Sequence, residues 1–453
     1  VPTLTSKGDH DNTKIRENEN SASGAVVKSA SRLEIWSWAM FDFANSSYTT
    51  VVTTAIFNAY FVKTVASAVE LSTATLYLTC SLGIANLLVV LTAPVVGAIA
   101  DAFAIKKRFL FVSTLCCVIC TAGLSLVHQG DVALAMTLLV LSNFAFGTSE
   151  DLIAAFLPEI ATPEKMGRIS AFGWTVGYIG GIAVLGTCLA YVTWAQKAGQ
   201  TPAQFVPVTM LFVAAIFLAA SAPTFIWLKE RAHRSAAQTK VSTIAAGAFR
   251  HVLNTIGDAK KHRDLFTFLL SLLCYSCGST TVVALAAVYA EQVMGFKTNE
   301  SIILIMVVNV TAAMGAFIFG FIQDKVGSVR TLATTLVLWA VAIFIAFATT
   351  DKNGFWCAAN IMGIAMGASA SAGRALVGQL SPAGRSAEFF GLWGLSVKLS
   401  AIIGPMTYGL VTYVSGSNYR LALLSTLLFF ILGLIVVLFV DEKRGRAQAL
   451  SES

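Results

Sequence analysis

The chain has 453 residues, of which 56% are hydrophobic and only 12% charged, with a formal net charge of +7 and a mean hydropathy of +0.74. Soluble chains devote about a quarter of their residues to charge, so this composition excludes a water-soluble globular protein. The positive charge does not mark a nucleic-acid binder, because Lys and Arg fall between apolar runs, where they set topology.

Residues 1–32 are polar and mixed in charge, without the apolar stretch of a signal peptide, and read as a disordered cytosolic tail. Twelve apolar runs follow, at 35–62, 75–100, 109–128, 132–157, 169–195, 204–228, 265–290, 301–323, 331–350, 354–379, 387–414 and 419–440. Each is long enough, at ~20 residues, to cross a bilayer as a helix. An even count puts both ends on one side. The tails and even-numbered connections hold ~24 of the 31 Lys and Arg, among them Lys106, Lys107, Arg108, Lys165, Arg168, Lys325, Arg330, Lys443 and Arg444. The opposite loops hold about five: Lys63, Lys197, Lys297, Lys352 and Arg420. The positive-inside rule therefore predicts that both termini are cytosolic.

The longest connection, 229–263, carries eight Lys and Arg and reads as a cytosolic linker between two six-helix bundles, 33–228 and 264–440, with a tail at 441–453. Contact of its basic face with anionic lipid heads is the other reading. The eight cysteines lie in or at the ends of the apolar runs. The spacings Cys117-x-x-Cys120 and Cys274-x-x-Cys277 read as packing by a small hydrophobe, with neither a disulfide framework nor a metal site expected.

The linker divides two copies of one pattern. The second run ends in Gly97-Ala-Ile-Ala-Asp101, followed by Lys106-Lys107-Arg108, and the eighth ends in Gly320-Phe-Ile-Gln-Asp324-Lys325-Val-Gly327-Ser-Val-Arg330. At a cytosolic turn, glycine lets two helices approach closely, and the aspartate can bind a helix N-terminus or a basic residue of the other half. The trailing cations stay among headgroups. The copy at 320–330 is complete, whereas the copy at 97–108 has Ala102 and Ala104 where a cation and the second glycine belong. A second echo sets Pro158 and Gly167-Arg168 against Pro382 and Gly384-Arg385. An ordinary tight basic turn would explain one copy, but two at matching positions make internal repeats of a transporter the better reading. Gly97, Asp101, Gly320, Asp324, Lys325, Gly327 and Arg330 are the candidate gating residues.

Ionisable side chains inside membrane spans are costly and usually functional. Five fall here: Asp42, Glu150, Asp151, Arg374 and Lys398. Asp42, Asn45, Ser46, Thr49 and Thr53 form a polar stripe at helical spacing, which suits a cavity wall, with helix–helix hydrogen bonding as the alternative. Glu150 and Asp151 are adjacent and diverge by ~100° around their helix. Three acids against two bases leave one carboxylate over, and a buried carboxylate without a partner tends to hold a proton. Static ion pairs plus one acid reaching cytosolic water are the competing reading. Aligning Pro158 with Pro382 sets Glu150 and Asp151 at the position of Arg374, which predicts a latch between one of them and Arg374. The alternative is that each charge serves its own half. Asn143 and Tyr275 complete the candidate substrate and proton pathway. Glycine faces at Gly173, Gly177, Gly180 and Gly181, and at Gly391, Gly394 and Gly404, read as close helix crossings. The five histidines lie in the tail, loops or loop edges, which argues against a histidine relay in the membrane.

Several longer segments carry a resemblance: Trp38-Ala-Met-Phe-Asp42-Phe-Ala-Asn45-Ser46, Phe156-Leu-Pro158-Glu159-Ile, Ser170-Ala-Phe-Gly173-Trp174-Thr-Val-Gly177-Tyr178-Ile-Gly180-Gly181, and Glu388-Phe-Phe-Gly391 with Lys398 and Gly404-Pro405. With the repeated turns they resemble the major facilitator superfamily, in the branch of fungal vacuolar amino-acid effluxers linked to autophagy and their bacterial relatives. The resemblance covers nearly the whole chain. It departs where Ile153-Ala154 replaces the family's Tyr-Asn and Ser371-Ala-Gly-Arg374-Ala replaces a Ser-Arg-Ser pattern. It implies an all-α membrane protein of twelve helices in two pseudo-symmetric bundles, moving a small amphiphilic solute, an amino acid or similar zwitterion, by alternating access. Proton coupling is left open. A lipid-like amphiphile or peptide as cargo, and a transport-inactive receptor, are the alternatives.

No G-x-x-x-x-G-K-[ST] is present, so ATP hydrolysis within this chain is excluded. A membrane-embedded enzyme would need clustered catalytic groups at one depth, and none is visible. No cofactor, metal or nucleic acid is expected. The partners are a small solute, the bilayer and, in the coupled reading, protons, with a monomer as the working unit. The compact length fits a bacterial inner (plasma) membrane, with a vacuolar or lysosomal membrane as the alternative.

Overall fold

The computed structural model describes residues 30–231 and 262–451, apart from positions 297 and 417. The tail through residue 29 and linker positions 232–261 lie outside the described residues, as do Lys297 and the linker residues Arg234, Lys240, Arg250, Lys260 and Lys261.

Helix α1 opens at Arg32 with a capping box. The Ser31 hydroxyl accepts from the Glu34 N–H, and the Glu34 carboxylate accepts from the Ser31 N–H. It is α-helical through Tyr48 and then continues in π-helical turns at Thr49–Ala55 and Phe61–Val65. Thr49, Thr50, Thr53 and Thr54 all donate their hydroxyls back to backbone carbonyls, a competition that loosens the α-helical ladder. Helix α2, Leu71–Phe103, bends by 42° between Ala93 and Val95, where Pro94 has no N–H to give. The first half is completed by α3 Lys106–Gly123, α4 Val132–Ala154, α5 Met166–Lys197 and α6 Pro202–Trp227. The second half comprises α7 Arg263–Gln292, α8 Thr298–Val326, α9 Ser328–Ala348, α10 Lys352–Leu380, α11 Ser386–Val414 and α12 Tyr419–Val437.

Ten of these helices are individually long and apolar enough to cross a bilayer. The bent α2 supplies an eleventh span and the π-broken α1 a twelfth. Val112 and Ile119 of α3, Ile226 of α6, Phe344 of α9 and Leu428 of α12 are each at least 59% exposed. Such apolar surface is expensive in water but matches lipid tails.

Beyond α12 the expected tail is instead a helix, α13, Glu442–Ser451. It is tied down by Arg444, whose guanidinium pairs with Asp264 of α7 at 2.7 Å. Its Glu442 carboxylate accepts from the Val329 N–H at 3.1 Å and so caps α9. The first half does the same with Glu230, which follows α6 and accepts from the N–H groups of Lys106 at 2.7 Å and Lys107 at 3.3 Å. Each half thus closes the N-terminus of its third helix with a glutamate placed after its sixth.

Burial along α10 shows where the bundle is shut. In its first half the buried positions are Phe355, Ala358, Ala359, Met362, Gly363 and Ala365, a single stripe at helical spacing. From Ser371 to Leu380 every residue is buried, so no side of the helix is left uncovered. This second half approaches the face that carries both described chain ends, termed here the terminal face.

Candidate functional site between the two halves

The five intramembrane charges converge where the halves meet, in two groups. Arg374 of α10 donates from Nη1 to Asp42 Oδ2 of α1 at 2.8 Å and from Nη2 to the Ser170 carbonyl of α5 at 2.8 Å. Its Nε donates to the Ser170 hydroxyl at 3.2 Å. The guanidinium lies 4.7 Å from the Trp38 ring centroid and 5.2 Å from that of Trp174, so a fully buried cation is held by charge, hydrogen bonds and two aromatic faces. Gly173 makes this possible: a Cβ there would collide with the Asp42 carboxylate, the Trp38 ring and the guanidinium.

The second group joins α4 to α11. Lys398 Nζ donates to Glu150 Oε2 at 3.3 Å and lies 5.8 Å from the Phe146 ring. Both side chains remain partly exposed, at 14% and 29%. Asp151, one residue on, turns against Gly394, where a Cβ would collide with its carboxylate. Both Asp151 oxygens are buried and have no hydrogen-bond partner among the described residues.

The expected latch between Arg374 and Glu150 or Asp151 is therefore not the arrangement present. Arg374 is taken by Asp42, and Glu150 by Lys398. Symmetry placed α4 and α10 at a common depth, but Arg374 faces α1 and α5, while Glu150 faces α11. Of the other pathway candidates, Thr49 donates to the Asn45 carbonyl at 2.8 Å and Asn143 donates to the Leu139 carbonyl at 3.0 Å, each within its own helix. Tyr275 is buried on α7 against Gly373. Asn45 Oδ1 and Trp174 Nε1 are buried and have no hydrogen-bond partner among the described residues.

The turn motifs lie between this layer and the terminal face. Asp101 accepts from the Glu388 N–H at 3.0 Å, and Asp324 accepts from the Arg168 N–H at 3.2 Å. Glu388 and Arg168 are the third residues of α11 and α5, so each aspartate caps a helix of the opposite half. Gly97 sits against the Ala387 backbone and Gly320 against Ala171, with no room for a side chain at either.

The copies then diverge. At the incomplete copy, Lys106 from the start of α3 supplies a cation. Its ammonium lies 3.3 Å from Asp101, pairs with Glu159 and donates to the Ser386 hydroxyl at 3.0 Å, with the side chain fully buried. At the complete copy, Lys325 and Arg330 are exposed and their side chains have no partner among the described residues. Gly327 takes φ 99°, while its counterpart Ala104 takes φ 52°, the one non-glycine positive φ among the described residues.

Sequence reasoning missed the cradle of Arg374 and the role of Lys106. A signal for the cradle was present, because Trp38 lies four residues before Asp42 and Trp174 four after Ser170, each pair on one helix face.

A profile of vacuole effluxer Atg22-like proteins matches residues 61–450. The uncharacterized MFS-type transporter YxiO of Bacillus subtilis is 25% identical over 412 residues, covering 90% of this chain and 94% of its own. Autophagy-related protein 22-1 of Neosartorya fischeri is 25% identical over 306 residues, covering 63% of this chain and 49% of its own. This chain therefore matches about half the length of that fungal relative. Among solved structures, the human organic anion transporter MFSD10 has a TM-score of 0.70 at 14% identity, with 90% of this chain and 99% of that one covered. FucP in the outward conformation gives 0.70 at 14% identity, with 90% and 98% covered. These two likenesses show the fold. With its two six-helix halves and its matched profile, the chain belongs to the vacuole effluxer Atg22-like family of the major facilitator superfamily of membrane transporters.

Proposed function

We propose that the protein is a secondary active transporter that moves a small zwitterionic solute, an amino acid foremost, by alternating access, with Asp151 carrying a coupled proton. The observation that carries this reading is the layer of charge between the halves: two ion pairs, each with one partner in each half, and one spare carboxylate. The Lys398–Glu150 pair is held by a single contact at 3.3 Å and reaches solvent. A zwitterion brings an ammonium and a carboxylate together, so it satisfies both partners as it separates them. A simple ion would leave one of them uncompensated. Separating the pair unties α11 from α4, which favours the rocking of one half against the other. The Asp42–Arg374 pair has more anchors and serves as the fixed wall of the site.

An ionised carboxylate buried without partners is costly, and a proton removes that cost. Asp151 therefore holds its proton while the halves are pressed together and releases it when water enters between them. The Lys/Arg bias supports a cytosolic terminal face, and on that orientation the two halves are shut toward the cytosol. Full-length likeness to a Bacillus protein supports a bacterial plasma membrane.

In proteoliposomes, uptake of a labelled amino acid is expected to respond to an imposed proton gradient, and Asp151→Asn to remove that response while leaving solute exchange. Uptake indifferent to the gradient would end the proton role. Failure of every common amino acid to be transported or to raise thermal stability would end the cargo assignment.

A further inference from the structure

We infer, building on the proton role proposed above for Asp151, that Trp38 is a positioning residue that ties the two charged groups together: it senses Arg374 through its ring and sets Asp151 through its N–H. The side chain is fully buried on α1 and meets three other helices. Its ring lies 4.7 Å from the Arg374 guanidinium of α10. Its Nε1 donates to the Ile153 carbonyl of α4 at 2.8 Å. Its edge is set against Gly173 of α5, which has no room for a side chain. Asp42, the acid that accepts from Arg374, stands one turn further along the same face of α1.

The ends of this connection lie in different halves. Arg374 belongs to the second, and under alternating access it moves away when the terminal face opens. Trp38, Asp42 and Ile153 belong to the first and move as one body. Ile153 stands two residues beyond Asp151 in the last turn of α4. Its carbonyl also accepts from the Phe156 N–H at 3.2 Å, so the indole grips α4 where the chain turns out of the helix. Asp151 is pressed against Gly394 of α11, and in a helix that turns ~100° per residue a small rotation of that last turn carries the carboxyl off the contact. Among the described residues, the charges that act on Asp151 are those of Lys398 and Glu150, so the Arg374 pair reaches it through contacts and not through its field.

A cation over an indole face polarises the ring, and polar contacts in series strengthen one another. The Nε1–H bond to Ile153 is therefore strongest while Arg374 is stacked, which is the shut arrangement present. When Arg374 leaves, the bond weakens, the end of α4 loosens and Asp151 comes off Gly394 to meet water. Closure at one ion pair thereby decides whether the proton carrier beside the other is dry. Trp174, 5.2 Å from the same guanidinium, does not relay in this way, because its Nε1 has no hydrogen-bond partner among the described residues. A tryptophan that only filled space would hold α4 with or without its N–H.

The test uses the full chain in maltoside micelles with Trp38 replaced by benzothienylalanine, which keeps the ring and puts sulfur in place of the N–H. The readout is the infrared band of the protonated Asp151 carboxyl, identified by its absence in Asp151→Asn. The band should shift with the replacement of Trp38 and stay in place when Trp174 is replaced in the same way. Asp42→Asn with Arg374→Met removes the cation and its partner together. That pair of changes should give the same shift, and adding the replacement of Trp38 to it should shift the band no further. A band unmoved by the replacement of Trp38, or shifts that add, would overturn the coupling. A parent without an Asp151 band would end the proton role, and the relay is then decided by hydrogen exchange at the Trp38 indole. Its N–H should exchange faster once the Arg374 pair is removed, and an unchanged rate would show that no relay exists.

Discussion

At the end of α2, Asp101 is buried and shares Lys106 with Glu159 and Ser386, while at the end of α8 Asp324 meets Arg168, whose side chain is 48% exposed. Both aspartates cap a helix of the opposite half in the same way, so the two closures differ in their cations and in the second buried acid, Glu159, that Lys106 brings in at the first. Burial decides which closure is stronger. A buried charge left without its partner costs about 3–5 kcal/mol, whereas an exposed pair contributes about 0–1 kcal/mol. The lesson is that the copy with the poorer motif carries the tighter lock, because a lysine from the next helix folds back into the gap.

That contrast can be broken by substitution. Lys106→Met should leave Asp101 and Glu159 buried and unpaired, lowering stability by about 3–5 kcal/mol in thermal unfolding of the purified protein. Adding Asp101→Asn and Glu159→Gln removes the stranded charges and should recover more than half of that loss. No recovery would mean that packing, not charge, is what Lys106 provides. Ala104→Gly should stabilise by about 1 kcal/mol, since the left-handed backbone is unfavourable for alanine. A lower melting temperature would place the strain elsewhere. Arg168→Ala should cost under about 1 kcal/mol, and a loss equal to that of Lys106→Met would erase the distinction between the copies. Lys325→Ala and Arg330→Ala, at exposed positions without side-chain partners among the described residues, should stay within about 0.5 kcal/mol of the parent.

Much of the fold was legible because a bilayer imposes its thickness on the sequence. The apolar runs lie within a few residues of the observed helices, as at 387–414 against Ser386–Val414 and 204–228 against Pro202–Trp227. The π-helical turns of α1 were not legible, since hydropathy is blind to how threonine hydroxyls compete for backbone carbonyls. Nor was α13, a polar helix held by Arg444 and Glu442 rather than by an apolar face.

At the site, the five charges stood out against apolar surroundings, but their partners did not. Repeat symmetry gives the depth of a residue and leaves its direction open, and direction turns by about 100° per residue. Arg374 and Glu150 are matched by the repeat yet face different helices, which is why pairing by depth failed. Lys106 was counted among cations that set topology, and such a count does not say which of them folds back into the protein.

The most direct test is the distance between nitroxide labels at Arg108 and Arg330, exposed positions on the terminal face with one in each half. If the buried Lys106 cluster holds that face shut, pulsed electron–electron resonance will give a short-distance population in the parent. Lys106→Met will move it toward longer distances, and Arg168→Ala will leave it nearly unchanged. A distribution insensitive to Lys106→Met, or opened as widely by Arg168→Ala, would contradict the account.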